Sequence, residues 1–185
     1  MSKPPRARRV AVVGSRAVGK SSMTVQFVED HFVESYYPTI ENQFSKLVRY
    51  KGQEYEVEIL DTAGQDEYSI INQKHLIGIH GYLLVYSIAS RSSFEMIPII
   101  RDKILNNLGT EHIPAVVVGN KSDLHMQRQV PDTEGQELAK SLDSAFIECS
   151  ARHNENIAKA FELLIREIDR KENNNSESGG SCSIS

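Results

Sequence analysis

A glycine-rich segment of eight residues near the amino terminus constrains the fold of this chain more than any other feature. The segment, Gly14–Ser21, follows the apolar run of residues 10–13, which predicts a strand, and precedes residues 22–28, which predict a helix. Its glycines let the backbone wrap closely around a negative charge, with peptide N–H groups and the helix amino terminus pointing at it. A glycine-rich turn that binds nothing is the simpler alternative. The strand and helix around the segment favour a phosphate-binding loop.

Two side chains of this loop have the chemistry needed to bind a nucleoside triphosphate with its metal ion. The Lys20 ammonium can reach the β- and γ-phosphates, and the Ser21 hydroxyl can bind Mg²⁺. We therefore expect the whole loop to line the phosphates, through Ser15, Arg16, Ala17, Val18, Gly19, Lys20, Ser21 and Ser22.

The bulk composition is that of an ordinary globular domain. A length of 185 residues favours one domain with a core of its own, and a net charge of −4 gives no electrostatic reason to expect nucleic-acid binding. The histidines show no metal-ligand spacing. Cys149 lies in an apolar run and is interpreted as a buried strand residue, not a reactive thiol.

Strand-like and helix-like patterns alternate along the chain, which predicts an α/β fold with a mostly parallel sheet. A hairpin with one wetter face is predicted near a sheet edge, because apolar residues alternate with glutamates after Lys51–Gly52. The last helix has the clearest period, with apolar residues recurring from Ile157 to Ile168. The predicted strands cover residues 9–13, 43–50, 54–60, 81–87, 113–119 and 145–149.

The identity of the base is indicated by the segment Asn120–Asp123, which follows the apolar strand that ends at Gly119. The Asp123 carboxylate can only accept hydrogen bonds, and guanine offers two adjacent donors, N1–H and the N2 amine. Adenine would place a lone pair against that carboxylate. An ordinary asparagine-containing turn is the alternative for these four residues taken alone.

At Asp61–Gln65 the resemblance to a known family becomes specific. Together with the phosphate loop, Thr39 and Asn120–Asp123 in the same order, the chain resembles a Ras-superfamily small GTPase over about residues 8–170. The strings at residues 32–42, 64–69 and 120–126 are most similar to the Rheb branch, as is Arg16 where Ras proper has glycine.

The resemblance implies a single P-loop G domain with a six-stranded sheet, one antiparallel edge strand and helices on both faces. Its domain would cover residues 9–171, after a flexible basic arm at 1–8. It also implies catalytic roles for Gln65, Lys20, Gly64 and Thr39, and Mg²⁺ binding by Ser21, Thr39 and Asp61. Beyond the phosphate loop, the residues expected to bind GTP or GDP are Phe32, Val33, Tyr36, Pro38, Thr39, Gly64, Asn120, Lys121, Asp123, Leu124, Ser150, Ala151 and Arg152.

In this family Gln65 orients the attacking water, and Thr39 and Gly64 contact the γ-phosphate, so both contacts vanish on hydrolysis and the surrounding loops relax. Arg152 stands where the family usually has lysine. We expect little effect on the choice of base, because Ala151 contacts the base through its backbone N–H. Arg16 is either a solvated side chain or a bulky group that crowds the γ-phosphate and slows hydrolysis. The resemblance further implies a monomeric switch with a tuberin-type GAP, acting on the TOR kinase complex in nutrient and growth signalling.

Two other classes of protein remain open at this point. A P-loop phosphotransferase would need an acceptor site and an arginine-bearing lid, for which no separate segment is available. A binding module that has lost hydrolysis is disfavoured by the presence of Gln65, Thr39, Asp61 and Lys20, although Arg16 keeps it open.

The chain ends in Cys182–Ser185, which fits a C-a-a-X box for farnesylation of Cys182 by farnesyltransferase. Residues 172–185 are polar and predicted to be a disordered tail, without a basic cluster or a second cysteine. A single lipid gives only marginal, reversible membrane binding. We therefore expect attachment to the cytoplasmic face of endomembranes together with a soluble cytosolic pool.

Overall fold

The computed structural model describes residues 3–32, 42–62 and 76–179. Within these ranges the chain forms six strands, four α-helices and one short 3₁₀ helix. The strands are β1 (Arg6–Gly14), β2 (Asn42–Tyr50), β3 (Gln53–Asp61), β4 (Gly81–Ser87), β5 (Ala115–Asn120) and β6 (Ala145–Glu148). The helices are α1 (Lys20–Glu29), α2 (Arg91–Leu108), α3 (Asp132–Ser141) and α4 (Ile157–Gly179), with the 3₁₀ helix at His125–Gln127. None of these helices is long and apolar enough to cross a membrane.

The strands form one sheet in the order β2-β3-β1-β4-β5-β6. All neighbours pair in parallel except β2 and β3, so the sheet has one antiparallel edge strand, as predicted. The β2–β3 turn has positive φ at both central residues, 48° at Lys51 and 76° at Gly52, as a two-residue type I′ hairpin requires. The β5 strand starts at Ala115, two residues later than predicted, after Pro114, which has no N–H to donate.

Successive side chains of the central strands enter two different apolar cores, one on each face of the sheet. Val12 and Val118 point into the core that α1 and α4 cover, whereas Val13 and Val117 point into the core beneath α2 and α3. Because both faces of the sheet are buried, its central strands appear in the sequence as continuous apolar runs. The prediction of helices on both faces is confirmed.

The two ends of the domain are joined by an ionic network that the sequence analysis missed. Arg8 is 8% exposed and donates to Asp169 at 3.2 Å and to Glu172 at 2.9 Å. The Tyr55 hydroxyl donates to the other oxygen of Asp169 at 2.6 Å. Burial and this hydrogen bond raise the pKa of Tyr55 above its usual value.

These contacts place both termini of the domain differently from the sequence-based expectation. The flexible arm was expected to include residues 6–8, but β1 begins at Arg6, which pairs with Tyr55 of β3, and the Arg8 side chain is held against α4. The disordered tail was expected from residue 172, but α4 continues to Gly179. Its first added residue, Glu172, is paired with Arg8, and further on the Ser176 hydroxyl donates to the Glu172 carbonyl.

Replacing Asp169 by alanine should lower the free energy of unfolding by about 2–4 kcal/mol, because it leaves the buried Arg8 guanidinium and the Tyr55 hydroxyl short of an acceptor. Urea denaturation at one saturating GDP concentration measures this change. The control is Glu58→Ala, which removes the exposed pair with Arg9 at 3.2 Å and should cost at most about 1 kcal/mol. Equal losses in the two variants would contradict a structural role for this network.

Candidate functional site

Several residues singled out in the sequence lie, within the described part of the chain, at the edge of the sheet where the parallel strands end. Gly14 ends β1, Asp61 ends β3 and Asn120 ends β5. The carboxyl ends of parallel strands are where ligands bind in open α/β sheets. The chain returns to this edge after β6, at Ser150 and Ala151.

The phosphate loop leaves no room for larger residues at its glycines. A Cβ on Gly14 would lie 2.2 Å from the Val85 carbonyl oxygen, and one on Gly19 would lie 2.3 Å from Nδ2 of Asn120. Both glycines also have positive φ. Val18 is 1% exposed and belongs to the core under α1, so its side chain anchors the loop, whereas Arg16 and Ala17 are exposed.

Lys20 is a buried cation with its ammonium directed along the loop. It is 5% exposed, and its Nζ donates to the Ser15 carbonyl at 2.7 Å. Burial lowers the pKa of Lys20 to about 8, against the opposing attraction of Asp61. Negative charge brought into the loop would favour the protonated form of this lysine.

Ser21 and Asp61 form an oxygen cluster beside the loop. The Ser21 hydroxyl donates to Oδ2 of Asp61 at 2.6 Å, and Oδ1 of Asp61 is buried without a hydrogen-bond partner among the described residues. Burial raises the pKa of Asp61, while the Ser21 hydrogen bond and the Lys20 charge act to lower it. Hydroxyl and carboxylate oxygens are the ligand types that Mg²⁺ prefers, so these residues fit a magnesium site.

The base-binding segment is bonded directly to the phosphate loop. The Asn120 amide donates to the Val18 carbonyl at 2.9 Å, and its Oδ1 accepts from the Ala151 N–H at 3.3 Å. Lys121, with φ of 63°, donates through Nζ to the Ala17 carbonyl at 2.8 Å. The two segments singled out separately in the sequence are therefore parts of one site.

Asp123 is held by the loop that follows β6. The Ser150 hydroxyl donates to Oδ1 of Asp123 at 2.9 Å and accepts from the His153 N–H at 3.2 Å. Cys149, which precedes Ser150, is fully buried, and burial raises the pKa of its thiol to about 12. The interpretation of Cys149 as a buried residue is confirmed, although it lies one residue past the end of β6.

The other predicted site residues are only partly covered by the described structure. Phe32 is partly buried against the core under α1, and Ser22 is half-buried in the first turn of α1. Leu124 is half-buried after Asp123, and Arg152 is exposed. Val33, Tyr36, Pro38, Thr39, Gly64, Gln65 and Cys182 lie outside the described residues.

One contact of the site was not anticipated. Gln26 of α1 is 5% exposed, and its Nε2 donates to the Ala151 carbonyl at 2.9 Å. The available signal was spacing, because Gln26 stands three residues after Met23 and one before Phe27, which places a polar residue on the buried face of the helix.

The comparison with known families agrees with this site. The Ras family model matches residues 9–170, and the chain belongs to that family. It is accordingly a small GTPase, a GTP hydrolase that binds GTP and GDP. This decides against the phosphotransferase alternative.

Within that family the chain is similar to several Rheb proteins. The GTP-binding protein rhb1 of Schizosaccharomyces pombe is 69% identical over 92% of both chains. The small monomeric GTPase RhbA of Aspergillus fumigatus is 60% identical over 100% of this chain and 99% of its own. The GTP-binding protein Rheb of Homo sapiens is 49% identical over 97% of both. The resemblance to the Rheb branch is confirmed.

Proposed function

We propose that this GTPase is a membrane-tethered switch that binds GTP with Mg²⁺, hydrolyses it slowly and signals to the TOR kinase complex. The observation that supports the proposal best is the bond between the two halves of the site, from the Asn120 amide to the Val18 carbonyl. A nucleotide bound there would have its phosphates at the loop and its base at Asp123.

Guanine would be recognised by two groups held close together. The Asp123 carboxylate would accept from N1–H and the N2 amine. The Ala151 N–H, whose bond to Oδ1 of Asn120 is long at 3.3 Å, would donate to O6 as well, in a three-centre hydrogen bond. Ser150 fixes the orientation of the carboxylate at 2.9 Å. The stem of Lys121 would lie on the ring face, and Phe32 would pack across the guanine edge.

The phosphates and the cation would be bound at the other end of the site. Lys20 would transfer its hydrogen bond from the Ser15 carbonyl to the β- and γ-phosphates, and the loop N–H groups would surround them. Ser21 and Thr39 would hold Mg²⁺, with Asp61 behind a bound water. The cation would neutralise charge on the β- and γ-phosphates. Gln65 would orient the attacking water. Gly64 would contact the γ-phosphate, and the loss of that phosphate on hydrolysis would release the segments around residues 33–42 and 62–75.

The base assignment is tested by Asp123→Asn. The change removes the charged acceptor of two hydrogen bonds, so affinity for GDP should fall by about 100-fold or more. Affinity for xanthosine diphosphate should rise, because the new amide can donate to the xanthine O2. Competition binding with both nucleotides measures the change.

The control for this experiment is Asp132→Asn, which alters an exposed carboxylate in the first turn of α3 and should change neither affinity. Unchanged GDP binding in Asp123→Asn would contradict the proposed recognition of guanine by Asp123.

Slow hydrolysis is ascribed to Arg16, whose exposed side chain stands between Ser15 and Ala17 in the phosphate loop. Its bulk beside the γ-phosphate would displace Gln65 and obstruct an arginine finger from a Ras-type GAP. Arg16→Gly should therefore raise the single-turnover rate of GTP hydrolysis by about tenfold, and a Ras-type GAP should accelerate only the variant. A tuberin-type GAP should accelerate the wild type. An unchanged intrinsic rate in the variant would refute the crowding by Arg16.

The proposal of a TOR effector is supported only by the similarity to Rheb proteins, and it requires nucleotide dependence. A purified TOR kinase complex should phosphorylate its substrate faster with the protein loaded with a non-hydrolysable GTP analogue than with GDP. Equal stimulation by the two forms would argue against a switch, and no stimulation by either would argue against this effector.

The membrane proposal depends on the farnesylation of Cys182 and on the absence of other anchoring signals in residues 172–181, whose only charges are Glu172 and Glu177. Wild-type protein should divide between endomembranes and cytosol, and Cys182→Ser should be almost entirely cytosolic. Fractionation of cells expressing each form measures this, with Cys149→Ser as the matched cysteine control. Identical distributions of wild type and Cys182→Ser would rule out lipid anchoring at this cysteine.

A further inference from the structure

The contact between Gln26 and the loop after β6 links two parts of the site that are 125 residues apart in the chain. Its donor lies on α1, the helix that begins at Lys20 in the phosphate loop. Its acceptor is the carbonyl oxygen of Ala151, the residue whose N–H is assigned to guanine O6. The side chain is 5% exposed, so water does not offer the carbonyl an equivalent partner.

Gln26 lies on the buried face of α1 together with apolar residues. Met23 is fully buried, and Phe27 stacks on Phe161 of α4 with ring centroids 3.9 Å apart. Gln26 is itself buried, and its amide bonds to the Ala151 carbonyl at 2.9 Å, so α1 and the loop after β6 are joined at this point.

Both peptide units of Ala151 are held by hydrogen bonds, and Gln26 supplies one of them. The unit before its Cα is held at both ends, because the Glu155 N–H donates to the Ser150 carbonyl at 2.9 Å and the Ala151 N–H donates to Oδ1 of Asn120 at 3.3 Å. The unit after its Cα is held by Gln26, whose Nε2 donates to its carbonyl oxygen at 2.9 Å. With both units held, the direction of the Ala151 N–H is determined.

We propose that Gln26 is a positioning residue for guanine O6, acting through the Ala151 carbonyl. This inference rests on the proposed function, because it requires the Ala151 N–H to donate to O6. Gln26 does not touch the nucleotide in this scheme. Together with Asn120, which accepts from the same N–H at 3.3 Å, it sets the angle at which the N–H meets O6, and it connects that angle to the helix that starts at the phosphate loop.

The inference is tested by comparing three nucleotides on the full chain. 6-Thio-GDP differs from GDP only in the acceptor that faces Ala151, and IDP differs only in the N2 amine that faces Asp123. Dissociation constants for GDP, 6-thio-GDP and IDP are measured for the wild type and for Gln26→Met, which keeps the side-chain length and removes the donor. Gln26→Glu, which keeps size and polarity, serves as a second variant if Gln26→Met does not fold.

In the wild type, GDP should bind more tightly than either analogue. In Gln26→Met the preference for GDP over 6-thio-GDP should shrink by about fivefold or more, while the preference for GDP over IDP changes by less than about twofold. The matched control is Thr24→Val on the same helix, which removes a buried hydrogen bond to the Lys20 carbonyl at 3.0 Å and should leave both preferences unchanged.

Three results would overturn the proposal, and they have different meanings. If the wild type discriminates against 6-thio-GDP and Gln26→Met does so equally, Gln26 has no role at O6, although Ala151 does. If Gln26→Met weakens both preferences together, its effect is a general loosening of the site. If the wild type itself does not distinguish GDP from 6-thio-GDP, the assignment of O6 to Ala151 fails as well.

Discussion

The Asn120 side chain is the contact on which the rest of the site depends. It is 1% exposed at the end of β5 and bonds to two other segments at once, the phosphate loop through the Val18 carbonyl and the loop after β6 through the Ala151 N–H. Because the amide fills the space above Gly19, that position admits no side chain. One buried amide therefore fixes the distance between the phosphate end and the base end of the site.

The site contains strained backbone conformations and buried charges, and nearby hydrogen bonds offset part of their cost in free energy. Ala17 and Lys121 both have left-handed backbones, which side chains disfavour by about 1–2 kcal/mol each. The Lys121 ammonium bonds to the Ala17 carbonyl, so each strained residue helps to hold the other. Lys20 and Asp61 are buried, and burial acts against the charge of each. A phosphate beside Lys20 and a divalent cation beside Asp61 would add a partner of opposite charge to each group, and the nucleotide-bound form should be much more stable than the free protein.

Much of this architecture could be predicted from the sequence because the signals were local. Continuous apolar runs at β4 and β5 predicted doubly covered strands, and Lys51–Gly52 predicted the hairpin. The phosphate loop and Asn120–Asp123 were found from side-chain chemistry at fixed spacing. Such features depend on residues that are close together in the chain.

The features that were missed depend on residues far apart in the chain. The Arg8 network joins β1 to α4, and composition alone could not show that Glu172 has a buried partner, so the helix was expected to end too early. Gln26 gave only the weak signal of a polar residue on an apolar helix face, and its acceptor is a backbone carbonyl that no sequence pattern marks. Hydrogen bonds to distant backbone atoms are the part of a site that sequence reasoning cannot specify.

The coupling of the two halves of the site through Asn120 is tested most directly by Asn120→Ala, with the exposed Asn106→Ala on α2 as control. The quantity to measure is the affinity for GDP relative to GMP, since the two nucleotides share a base and differ by one phosphate. If Asn120 joins the halves, its loss should accelerate GDP release by about 100-fold and also reduce the preference for GDP over GMP. Weaker binding of both nucleotides with the full preference retained would show that the base and phosphate segments act independently, and would contradict the account.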